Sequence, residues 1–294
     1  MSKGPRKIPS DLPFLIGMCT IFSAYLLLIL FMLIADAQYT SLTDMKEILS
    51  RPEIQYSIKL TMISCLITAI LSIIVAVPTG YILSRFKFPG KVVMDAMLDI
   101  PIILPPLVVG LSLLILFHKF SIAGESIESW CRIIFTGIYT FFLRKEPDFS
   151  VGVSYRVPAI ILAQFTVSCA FAVRTMRNTF DQLSPRQEQV AMTLGCNRSQ
   201  AFWQVALPES WRGVVTATAL AWARALGEFG PILIFAGTTR GRTEVLSTSV
   251  FLEISIGNLE GAVAVSMIMV AIALAVLILV RLIDSRKGGF YDQY

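Results

Sequence analysis

The sequence predicts an all-α, polytopic membrane helical bundle of about six spans. Three observations lead there. Of 294 residues, 55% are hydrophobic and only 15% are charged, whereas soluble domains carry about 25% charged residues. The apolar residues arrive in long blocks, and a bilayer core needs about 20 of them per helix because no water is present to satisfy a free backbone. The 25 Lys and Arg are scattered among those blocks, a pattern that orients spans rather than binds nucleic acid.

Six blocks read as spans: Phe14–Ala35, Ile58–Leu83, Val92–Phe117, Val157–Val173, Val214–Ala236 and Ala262–Leu282. The first follows a basic leader with Lys3, Arg6 and Lys7. It is too long for a signal-peptide core and reads as a retained signal anchor. The fourth is the shortest. A seventh stretch, Ile133–Leu143, is too short to cross and suits an interfacial or re-entrant helix. With the N-terminus inside, 14 Lys and Arg fall on the cytoplasmic side and 10 outside. Four of those 10 lie in the long Lys119–Lys145 insert, where the positive-inside rule is weak. Both termini are then expected to be cytoplasmic. So is the polar loop Arg174–Gly213.

Residue chemistry excludes several classes. His118 is the single histidine, which rules out an imidazole-rich metal site and leaves a His-based triad without partners. Cys19, Cys65, Cys131, Cys169 and Cys196 form no CxxC pair and mostly sit in apolar segments, where packing is the ordinary role. No metal or catalytic constellation is expected, so the chain reads as a non-enzyme.

The polar loop has its own local grammar. Ser184-Pro185-Arg186-Gln187 starts a helix: serine caps, proline takes the first position and glutamine follows three residues on. That helix is expected to stop at Gly195. Asn197, with Gln200 three residues later, starts a second that Leu207-Pro208 should end. Val190, Ala191, Leu194, Phe202 and Val205 recur at helical spacing. Two readings stand side by side: they pack beneath the membrane domain, or some of them enter a groove on a partner.

Within this loop, Glu188-Gln189-Val190-Ala191 and Gly195, then nine residues, then Val205-Ala206-Leu207-Pro208 resemble the signature of binding-protein-dependent ABC importer permeases. The family pattern is Glu-Ala-Ala, three residues, Gly, nine residues, Ile-x-Leu-Pro. The Gly-to-Leu-Pro register matches without a gap, while Gln189 stands where the glutamate is usual and Glu188 sits one position earlier. The resemblance implies a type I importer transmembrane domain over 55–283, after an N-terminal 1–54 and before a short tail, 284–294. It implies a coupling loop over 184–208 that docks on a separate ATPase, with Glu188, Ala191, Leu194, Gly195, Phe202, Leu207 and Pro208 as its candidate residues. It also implies an external solute-binding protein and a permease homodimer in the inner membrane. No GxxxxGK[ST] phosphate loop is present in this chain. ATP and Mg would therefore belong to the partner, with no cofactor here.

Ala223–Gly230 with Phe235-Ala236-Gly237, Asp99–Gly110 and Gly241–Leu246 look like the molybdate, tungstate and sulfate permeases. The Leu226–Gly230 form leans toward molybdate. A secondary transporter working without ATP is the different-class alternative. The candidate pathway residues are Asp99, Pro105, Pro106, Arg224, Glu228 and Gly230. Arg224 and Glu228 lie one turn apart on one face, either as a helix-locking pair or as an aid to a passing oxyanion. Asp95 and Asp99 read as interfacial anchors or pairing groups. Pro101, Pro105 and Pro106 interrupt the third span and place it inside the bundle. The insert over 118–154 reads as tolerated surface, since long surface insertions cost little.

Overall fold

The structure, a computed structural model, describes residues 12–40, 42–122, 125–132 and 152–288. Four long apolar runs become helices able to cross a bilayer, the second of them running through Pro78. These are α1 (Leu12–Tyr39), α3 (Pro52–Arg85), α6 (Val157–Gln182) and α13 (Leu259–Gly288). α1 is exposed along almost its whole length. A short helix, α2 (Leu42–Ser50), leads into α3.

The third block is not one straight span. It folds as α4 (Lys91–Ile103) and α5 (Pro106–His118), bent by 111° at Leu104–Pro105. Two consecutive prolines supply no N–H groups there and fix φ, so the helix cannot continue. The fifth block also breaks, into α10 (Trp211–Leu226) and α11 (Gly230–Phe235), with Gly227–Phe229 between them. The fourth block is longer than its hydropathy suggests, because α6 runs on to Gln182. Arg174 and Arg177 are therefore helical residues rather than loop residues.

The core is built on α3, α6 and α10, with α3 and α6 in the most extensive contact. α3 turns a seam of small residues inward: Ser57, Thr61, Ser64, Thr68, Ser72, Ala76 and Gly80 are all buried. Four-residue spacing of small side chains lets two membrane helices approach closely. At Gly80 the approach is so tight that a Cβ would lie 2.8 Å from the Arg177 backbone nitrogen.

A second cluster joins α5, α6 and α11. A third joins α2 and α3 to α12 (Leu246–Ser255) and α13. Of the long insert, the described part is an antiparallel pair, β1 (Ser121–Ile122) with β2 (Glu125–Ser126), and a helical stretch over 127–132. Glu128 ties it down by accepting from Val153 N–H at 2.6 Å and from Ser154 N–H and Oγ–H at 3.2 and 3.0 Å. The expected helix Ile133–Leu143 lies outside the described residues.

Candidate functional site: the polar loop and two broken helices

Local chemistry shapes the polar loop. α7 (Pro185–Thr193) begins at Ser184, whose hydroxyl accepts from Arg186 N–H at 3.4 Å. Among the described bonds Gln187 makes none back to that cap and the serine bonds one position short of it, so the cap forms without the expected capping box. The helix ends in a Schellman turn. Gly195 takes φ 99°, its N–H donates to Met192 O, and Cys196 N–H donates to Ala191 O, both at 3.1 Å.

Asn197 and Gln200 then close a full capping box, at 2.8 and 2.9 Å, starting α8 (Arg198–Ala201). The expected stop at Leu207-Pro208 does not occur. A π turn over Phe202–Ala206 leads into α9 (Leu207–Glu209), which meets α10 two residues later. A π turn places the backbone acceptor one residue further back than an α-helix does, and Leu207 N–H donates to Phe202 O. The helix thus passes a proline that has no N–H to offer.

The loop has two faces. Its inner face is pinned by Glu188, which is only 7% exposed. Arg85 Nε donates to Glu188 Oε1 at 2.9 Å and Tyr81 Oη–H to Oε2 at 2.7 Å. Arg85 also donates to the carbonyls of Phe180 and Leu183 at 2.8 and 3.1 Å, capping the end of α6. Phe202 packs edge-on against Tyr81, with ring centroids 4.7 Å apart. Glu188 and Phe202 therefore hold the loop to α3 and are turned away from its open face.

Val190, Leu194 and Trp203 stand open at 57%, 80% and 64%. Of the other expected loop residues, Ala191 and Leu207 are half-buried, Gly195 shapes the turn and Pro208 is exposed. The apolar pattern thus divides between the two readings. Val190 and Trp203 join Leu194 on the open face, and Tyr81 and Arg85 join Glu188 beneath it.

The two broken helices pack against each other near their breaks. A Cβ on Gly230 would lie 2.8 Å from Pro106 Cβ, and one on Gly110 would lie 2.8 Å from Pro231 Cα. Backbone freed in a membrane must be satisfied by protein or by a watery cavity, and at the second break the protein does it. Gln164, 1% exposed on α6, donates to Ala225 O at 3.2 Å and accepts from Thr68 Oγ–H at 3.2 Å. Ser247 Oγ–H donates to Glu228 O at 2.7 Å. Neither Gln164 nor Ser247 stands out in the sequence.

The predicted Arg224–Glu228 pair forms at 3.0 Å, with Glu228 only 1% exposed. It meets off-axis: Arg224 Nε and Glu228 Oε1 make no hydrogen bond, so the attraction is coulombic. The guanidinium also lies 5.4 Å over the ring of Phe171. Committed on both sides, Arg224 fits the helix-locking role. Asp95 and Asp99 pair with α6, at 2.7 Å to Arg177 and 3.7 Å to Arg174.

At the far end of α3, Arg240 bridges Glu53 and Glu253 at 3.1 and 3.0 Å. Beside them, burial pushes the Glu244 carboxyl above its ordinary range. Ser249 and Arg240 draw it down, while Glu53 and Glu253 raise it further.

Comparison with known proteins agrees with this anatomy. The family model described as "binding-protein-dependent transport system inner membrane component" matches residues 76–289. The sulfate transport system permease protein CysT of Escherichia coli (strain K12) is 30% identical over 284 residues, 96% of each chain. The molybdenum transport system permease protein ModB of the same strain is 30% identical over 198 residues, 66% of this chain and 79% of that one. Among solved structures, a chain of a bacterial alginate ABC transporter superposes with a TM-score of 0.69 at 14% identity, covering 94% of this chain and 95% of that one. This chain therefore belongs to the family of binding-protein-dependent transport system inner membrane components.

Proposed function

We propose that this chain is the membrane permease subunit of an ATP-driven importer of tetrahedral divalent oxyanions. It would work as a homodimer with both termini cytoplasmic, fed by an external solute-binding protein and driven by a separate ATPase. The observation that carries the reading is the two-faced loop. An apolar face of Val190, Leu194 and Trp203 is open to a partner, while Glu188 fastens the same loop to α3 through Arg85. A push on the open face is thus delivered to a membrane helix. Rocking of the helices around the two breaks would expose the pathway to each side in turn.

Two observations bear on the cargo. The sulfate permease relative matches over 96% of the chain, against 66% for the molybdenum permease, which supports sulfate as our first reading. Leu226–Gly230 keeps the form that leans toward molybdate, which keeps molybdate as the second reading, with tungstate beside it.

The test is uptake in proteoliposomes holding the chain with its ATPase, supplied with the loaded binding protein. ATP-dependent oxyanion uptake that Leu194→Asp abolishes, with the chain still in the membrane, is expected. Uptake by the chain alone, driven by an ion gradient, would overturn the reading. Titrating the binding protein with sulfate, molybdate and tungstate then ranks the cargo.

A further inference from the structure

Three arginines stand along α6, where it meets α4 on one side and α10 on another, and they are not equivalent. Arg224 is held at 3.0 Å by a buried carboxylate and covers Phe171. Arg177 is held at 2.7 Å by Asp95 and reaches Asp181 at 3.7 Å. Arg174 is the loose one. Its side chain is 59% exposed, and its carboxylate, Asp99, is 35% exposed and 3.7 Å away. A solvated pair at that distance holds its partners weakly and is screened by salt.

Arg174 also occupies a useful place. It lies three residues beyond Phe171 on α6, on the same face, and so just beyond the ring that Arg224 covers. Gln164, which holds the Ala225 carbonyl at the break, is ten residues back on the same helix, about 15 Å at 1.5 Å per residue. In the other direction α6 ends at the carbonyls that Arg85 caps beneath the coupling loop. An anion moving from the breaks toward the loop would pass Arg224, whose charge Glu228 already cancels, and then meet a cation free to turn toward it.

We propose that Arg174 is the anion-holding side chain on the coupling-loop side of the pathway, taking a tetrahedral divalent oxyanion by exchanging its loose contact with Asp99 for the substrate. This rests on the oxyanion reading above. A guanidinium suits the task, since its planar fork can give two parallel N–H bonds to neighbouring oxygens of such an anion. Asp99 then acts as a placeholder, keeping the arginine oriented when no anion is present.

The experiment measures ATP-dependent uptake of sulfate and of molybdate by the full complex in proteoliposomes, alongside ATP hydrolysis in the same vesicles. Arg174→Gln should lower oxyanion uptake about tenfold per ATP hydrolysed. Arg174→Lys should recover part of it. Unchanged uptake in Arg174→Gln overturns the proposal. A loss of uptake matched by an equal loss of ATP hydrolysis also overturns it, because Arg174 would then be a strut. If the unmodified complex moves no oxyanion at all, the oxyanion reading itself fails. An oxyanion importer indifferent to Arg174 fails this inference alone.

Discussion

The two helix breaks reach the same result by different means. The break between α4 and α5 is imposed locally, by Pro105-Pro106 within the chain that bends. The break between α10 and α11 has no proline inside it. It is kept open by groups brought from elsewhere, with Gln164 on Ala225 O and Ser247 on Glu228 O. One is a covalent property of a short segment, and the other is a property of the assembled bundle. A break held by exchangeable hydrogen bonds can open and re-form at modest cost, whereas a proline break is permanent. The second is the better candidate for the moving part.

Substitutions can separate the two. The largest effect is expected where they touch: Gly230→Val or Gly110→Val would drive side-chain atoms into Pro106 or Pro231 at separations below 3 Å. Overpacking costs about 1–3 kcal/mol and more against unyielding backbone, so both should lower the detergent melting temperature sharply. Next comes Gln164→Leu, which removes the bonds to Ala225 O and from Thr68 Oγ–H together and leaves the carbonyl with its longer 3.3 Å bond from Glu228 N–H, for about 1–3 kcal/mol. Normal stability in that variant would show that the second break needs no outside support.

Ser247→Ala removes one hydrogen bond, about 0.5–1.5 kcal/mol, and should mainly alter transport rate. Smallest is a pH effect at Glu244. Its carboxyl titrates above the ordinary 4.5 in the folded chain, so its contribution is full below about pH 4.5 and is lost as pH rises through the raised folded value. Glu244→Gln should gain stability relative to the parent between pH 4.5 and 8, read from melting curves. A relative loss over that window would reverse the assignment.

This contrast also marks what the sequence discloses. Pro105 and Pro106 announce an interrupted span, although α4 runs on through Pro101, which was expected to break it too; Ser184, Gly195 and Asn197 announce caps and a turn, because each acts within a few residues of itself. The length of α6 was hidden: hydropathy reports where lipid ends, and no glycine or proline stops that helix before Pro185. The inward turn of Glu188 was hidden as well, since Arg85 is 103 positions away. Gln164 reads as an ordinary polar residue until the Ala225 carbonyl, 61 positions on, is brought to it. Chemistry that depends on long-range pairing leaves no local trace.

α3 has a mechanical consequence. Its 34 residues make a rod of about 51 Å at 1.5 Å per residue, well beyond a hydrocarbon core of about 30 Å. Arg85 clamps one end to the loop, and Glu53 ties the other to Arg240. Under the proposed function such a rod would be a lever with its fulcrum in the bilayer. A tilt of roughly 10° about its middle would carry each end about 4 Å in opposite directions, enough to part a 3.1 Å contact on one face of the membrane in answer to a push on the other.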